Sequence, residues 1–166
     1  MTGKIVFIFI LFTYQISMAK GEQVWQKPAT EYQDVKTGVD APLRVGVIGL
    51  VHTHVHWILG REEQGDIEIV GIVEPNRKLA QEYSRRHGYS MDIVFDTMEE
   101  MVARTKPQAV TAFNTIYGHL EVVKYCAPLG IHVMVEKPLA VNWDHAKEMI
   151  KLAEEYNIQL LTNYET

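Results

Sequence analysis

The sequence predicts an α/β fold, a doubly wound parallel sheet, and three observations predict it. Short apolar runs of strand length recur from Leu43 onward, stretches of helical period separate them, and the two kinds alternate without a break to the chain end. A strand, a helix and a parallel strand close right-handed, so repeated units place helices on both faces of one sheet. Ligands of such sheets bind beyond the carboxyl ends of the strands, where the strand order reverses.

Leu43 to Ile48 is the first apolar run, Thr53 to about Glu63 a helical stretch, and Ile67 to Val73 a second β-like run. A helix follows from about Asn76 to His87, with Leu79, Ala80 and Tyr83 on one face and Gly88 just past its end. Ile93 to Phe95 reads as a short strand, and Thr97 with Glu100 as a capping box for the next helix. Ala109 to Ala112 is the fourth strand. A helix from about His119 to Leu129, ended by Gly130, leads into the fifth, Ile131 to Val135. Asn142 opens a long helix in which Ala146, Met149, Ile150, Ala153 and Tyr156 recur at helical spacing. That stripe is expected on the sheet, with Lys147, Glu148, Lys151 and Glu154 in water. Ile158 to Thr162 is the sixth strand.

The first residues stand apart. Lys4, the apolar run Ile5 to Phe12 and the small-x-small step Ser17-Met18-Ala19 read as a secretory signal over residues 1–19. The run is far short of the roughly 20 residues that span hydrocarbon, so export to a periplasmic or extracellular space is expected, with no membrane association after cleavage. Residues 20–41 read as an extended lead-in and 42–166 as the folded domain. A formal net charge of −5 over 166 residues, with scattered Lys and Arg, disfavours a nucleic-acid partner and leaves a small molecule. Cys126, the one cysteine, reads as a small core residue.

The turn after the first strand reads Gly49-Leu50-Val51-His52-Thr53-His54. A dinucleotide fingerprint, Gly-x-Gly-x-x-Gly, begins here with Gly49, but its second and third glycines fall on Val51 and His54. Glu74 ends the second strand where an acid accepts hydrogen bonds from an adenosine ribose, and its charge repels a 2′-phosphate, favouring NAD over NADP. His52, His54 and His56 form His-x-His-x-His, which keeps a metal-dependent hydrolase open as an alternative. No metal ligand is assigned, because alternate residues opening a helix point to different faces.

The sharpest signal is Gly130-Ile131-His132-Val133-Met134-Val135-Glu136-Lys137-Pro138, a buried-strand pattern that ends in a charged pair and a proline. It resembles the Glu-Lys-Pro motif of the Gfo/Idh/MocA oxidoreductases, and the frame from Leu43 to about Tyr164, with Asn114 and His119 in place, is similar to theirs. The resemblance implies a Rossmann-type domain that binds NAD. The implied cofactor residues are Gly49, Leu50, Val51, His52, Glu74, Asn114, Thr115, His119, Glu136, Lys137 and Asn163, with Tyr164 secondary. It also implies Lys137 as the catalytic residue at the reacting oxygen, oriented with the cofactor by Glu136. A carbohydrate-like substrate, a homo-oligomer, and a second, α+β domain absent from this chain complete the expectation. Without that domain the chain is expected to bind without turnover, which leaves a non-catalytic dinucleotide-binding module as a further alternative. Two departures stand out: Val51 at the fingerprint's second glycine, and an extra residue in Phe113-Asn114-Thr115-Ile116-Tyr117 before His119.

Overall fold

The computed structural model describes residues 41–164. The expected signal and all but the last residue of the lead-in lie outside them. Among the described residues six strands alternate with five α-helices: β1 (Leu43–Ile48), α1 (Val55–Leu59), β2 (Ile67–Val73), α2 (Arg77–His87), β3 (Val94–Phe95), α3 (Met98–Thr105), β4 (Ala109–Ala112), α4 (His119–Cys126), β5 (His132–Glu136), α5 (Trp143–Glu155) and β6 (Leu160–Asn163). The sheet order is β3-β2-β1-β4-β5-β6, and every neighbouring pair is parallel. The order reverses between β1 and β4, which puts the switch point beside Gly49. The expected doubly wound sheet is therefore the observed one.

Period-two alternation splits the core. Val45 and Val47 of β1 join Leu50, Ile72, Ala80 and Phe113 on the face covered by α1 and α2. Ile48 instead joins Met101, Leu120, Val135 and Met149 on the face covered by α3, α4 and α5. Gly46 and Gly71 lie side by side under Met101: a Cβ on either would come within 2.7 Å or 2.6 Å of its side-chain carbons. These strand glycines make room for one long side chain.

Helix starts follow their caps. Asn76 accepts from Leu79 N, Thr97 from Glu100 N, and Asn142 from His145 N. The first helix is shorter than its periodicity suggests. His52 to His54 form turns, and the chain past Gly60 is held by Arg61, whose two guanidinium nitrogens donate to the Asp66 carboxylate at 2.6 and 2.7 Å. The α5 stripe is also narrower: Met149 and Ala153 are buried, whereas Ile150 and Tyr156 are exposed. Ile150 is one 100° step round from Met149, and Tyr156 lies beyond the last helical turn. α4 stops at Cys126 and continues as a tighter turn through Pro128, which has no amide to donate. Cys126 is buried, and burial pushes its thiol pKa up to about 12, so it carries no chemistry. Among the described residues no helix is long and apolar enough to cross a membrane.

Candidate functional site

Three strand ends meet at the switch point. Gly49 has φ +80°, and a Cβ there would lie 2.7 Å from Asn114 Cα and 2.8 Å from its amide nitrogen. The turn after β1 thus presses backbone against the turn after β4, and only glycine satisfies both the angle and the approach. His52 N donates to Phe113 O at 3.2 Å, adding a hydrogen bond to that contact.

Glu74 ties in the end of β2. Its carboxylate is buried, with Oε2 accepting from Leu50 N at 3.0 Å and Oε1 from Asn76 N at 2.9 Å. Leu50 fills the core with its side chain and commits its amide to Glu74, so its part in the site is to shape the turn. Val51 and Thr53 retain amides without a partner among the described residues. Val51 is 61% exposed and, like His54, keeps an ordinary negative φ, so neither side chain strains the turn.

Glu136 ends β5 as the most deeply buried carboxylate among the described residues. His54 Nδ1 donates to its Oε1 at 3.1 Å and Asn163 Nδ2, from β6, to its Oε2 at 2.9 Å. His52 Nδ1 stands 3.9 Å from Oε2 and Lys137 Nζ 3.9 Å from Oε1, with the lysine side chain exposed. Burial works to raise the Glu136 pKa, but the Asn163 bond, the Lys137 backbone N–H and the charges of His54 and His52 outweigh it and hold the carboxyl below its ordinary value. Glu136 is thus a buried anion. The turn after β1 and the end of β5 converge on one crevice, as the strand order requires.

Residues 43–164 match the GFO_IDH_MocA family model, described as an oxidoreductase family with an NAD-binding Rossmann fold. The chain belongs to that family. Its relatives include the 1,5-anhydro-D-fructose reductase of Ensifer adhaerens, 28% identical over 73% of this chain and 36% of the relative. The D-glucoside 3-dehydrogenase of Escherichia coli is 29% identical over 68% of this chain and 32% of the relative. The chain therefore spans about a third of the length of the curated relatives it matches. Among solved structures, the dehydrogenase MviM of Clostridium difficile superposes with a TM-score of 0.61 at 27% identity, over 73% of this chain and 39% of that one. The WlbA dehydrogenase of Bordetella pertussis, in complex with NADH and UDP-GlcNAcA, superposes with a TM-score of 0.65 at 24% identity, over 75% and 35%, and shows the shared fold.

The residues of this GFO_IDH_MocA domain fit a dinucleotide at the switch point. Glu74 keeps spare lone pairs on both oxygens, the free amides of Val51 and Thr53 offer donors, and Asn114 Oδ1 is buried without a partner. His119 is fully buried, and its Nδ1 donates to Leu139 O at 3.2 Å. Burial lowers its pKa against the opposing pull of the Leu139 and Pro138 carbonyls and Glu136, so it is a neutral imidazole with a bare Nε2 that no partner reaches. Thr115 and Tyr164 are exposed at the rim.

The three histidines separate. His52 and His54 face Glu136, but His56 points to α2, where its Nδ1 lies 2.7 Å from His87 Nε2 and its ring stacks on Tyr83. A centre built from all three is therefore overturned. The His54–Glu136 contact is the one the motif reading missed. His52 to His54 lie in turns before α1 begins at Val55, so the rule that alternate helical residues face apart does not apply to them.

Proposed function

We propose that this chain is the dinucleotide-binding part of an exported NAD-dependent oxidoreductase acting on a sugar, polyol or glycoside. The observation that carries the cofactor choice is Glu74, a buried carboxylate at the end of β2 beside the reversal point, braced by two backbone amides. It accepts hydroxyls of a ribose and repels a 2′-phosphate. NAD, when bound, supplies the hydride acceptor. Lys137 projects its ammonium at the mouth of the crevice and stabilises the negative charge that develops on a hydroxyl oxygen as its carbon is oxidised. Glu136 and Asn163 hold the floor beneath it. A sugar-like substrate is supported by the printed names of the relatives, a glucoside dehydrogenase and an anhydrofructose reductase.

Export rests on the apolar run and the Ser17-Met18-Ala19 step. An exported enzyme lacks a cytoplasmic cofactor pool, and a cofactor restored within each turnover meets that constraint. The test is calorimetric titration of the folded 166-residue chain with NAD, NADH and NADP. NAD or NADH is expected to bind at least tenfold tighter than NADP, and binding of neither, or a preference for NADP, refutes the reading. Expression of the full coding region with N-terminal sequencing checks export: an intact Met1 in the cytoplasmic fraction refutes it.

A further inference from the structure

We propose that His52, His54 and Glu136 form a binding site for a divalent cation of the zinc or cobalt class. Their ligand atoms, one from each residue, all lie within 4.8 Å of one another. Two imidazoles and one carboxylate are a borderline donor set that suits zinc, cobalt and iron(II) over magnesium or calcium.

The spacing is close to what a cation needs. Two ligands about 2.1 Å from a shared ion stand roughly 3.0 to 3.4 Å apart. His54 Nδ1 and Glu136 Oε1 are already 3.1 Å apart, bridged by a proton whose place an ion can take. His52 Nδ1 is nearest the other oxygen, 3.9 Å from Oε2, and with the three ligand atoms within 4.8 Å of one another the set must close by up to about 1.5 Å around one ion. The His52 ring can move, because it hangs from a turn and is a third exposed. His52 Nδ1 accepts from His54 N at 3.3 Å, so it is the unprotonated nitrogen, and ligation exchanges that long hydrogen bond for the ion.

The surroundings are built for the same end. Asn163 donates to Glu136 from β6 and orients the carboxylate, the role that outer partners play around metal ligands. Among the described residues no lysine or arginine side chain makes a hydrogen bond to this buried carboxylate; the Lys137 ammonium forms only a long ion pair with it, 3.9 Å from Oε1. A second observation lies beside the cluster. His119 is close enough for the charges of Glu136 and His52 to act on its ring, and its bare, buried Nε2 is an acceptor waiting for a donor. A water bound to the proposed cation would be such a donor. Three protein ligands leave the ion at least one open position, for that water or for a substrate oxygen.

The site goes beyond the dinucleotide reading and does not depend on it. The experiment strips the folded 166-residue chain with a chelator, adds excess zinc, removes free metal by gel filtration and counts zinc by mass spectrometry. About one zinc per chain is expected, and cobalt in its place is expected to give visible d–d absorption bands. The His52→Ala/His54→Ala double variant and Glu136→Gln are expected to lose that zinc, and His56→Ala to keep it. Both imidazoles are partly exposed on a turn, so circular dichroism of the double variant is expected to match the parent, and it decides the question if Glu136→Gln unfolds. No stoichiometric zinc in the folded parent, unchanged zinc in the folded double variant, or loss with His56→Ala overturns the site. A chain that binds zinc and not NAD refutes only the cofactor reading, and one that binds NAD and not zinc refutes only the cation site.

Discussion

Gly49 and Gly65 offer a matched pair for testing how the site is held. Both have positive φ, +80° and +74°, so alanine at either meets the left-handed strain of about 1–2 kcal/mol. They differ in surroundings: a Cβ at Gly65 meets nothing within 4 Å, whereas one at Gly49 lies 2.7 Å from Asn114 Cα and 2.8 Å from its N and Cβ. Ordinary carbon contacts are about 3.5 Å or more, so the β1 and β4 turns must separate by roughly 0.7 Å or more. Neither side of that contact is a flexible chain end, and such overpacking costs about 1–3 kcal/mol. Gly49→Ala is therefore expected to destabilise by about 2–5 kcal/mol and Gly65→Ala by about 1–2. Urea denaturation of both variants and the parent reads the difference as a shift in midpoint at constant slope. The same separation pulls Leu50 N away from Glu74, so NAD affinity is expected to fall at least tenfold in Gly49→Ala alone. Equal midpoints for the two variants would refute the claim that Asn114, rather than backbone angle, makes Gly49 necessary.

Two other perturbations follow from the packing and from three histidines at least partly withdrawn from solvent. Met101→Ala is expected to cost about 2–5 kcal/mol in urea unfolding, toward the upper end, because Gly46 and Gly71 beneath it have no side chains to fill the void; a loss under about 1 kcal/mol counts against that packing. Stability is expected to fall with acid below about pH 6.5: His56, His87 and His119 all have lowered pKa values, chiefly from burial, so the unfolded chain takes up protons first. Glu136, depressed in the fold, adds a further loss as pH drops through the carboxylate range. Urea midpoints that stay flat between about pH 7.5 and 5.5 refute the histidine term.

The strands were the legible part, and the reason is physical. Buried parallel strands must be apolar on both faces, so Leu43 to Ile48 and Ile67 to Val73 stand out as runs whatever packs against them. Capped helices were legible too, since Asn76, Thr97 and Asn142 each bond the amide three residues on. Helix ends and faces were not. The Arg61–Asp66 pair that closes the loop after α1 has no periodic signature, and the exposure of Ile150 depends on how α5 lies on the sheet.

The site divides along the same line. Glu74, Asn114 and Glu136 could be placed from sequence because each ends or follows a strand at the carboxyl edge, where topology alone brings them together. The turn after β1 could not, because a motif records which residues are missing and not what the replacements do. Glycine is needed where φ is positive or backbone approaches closely, and only Gly49 meets those conditions here. Val51 and His54 occupy the other two fingerprint positions with ordinary dihedrals, so their side chains are free to have a use. Val51 turns to solvent, while His52 and His54 reach across the crevice to a carboxylate more than eighty residues away. The turn therefore forms without those two glycines, and its His52 and His54 put imidazoles against the Glu136 carboxylate.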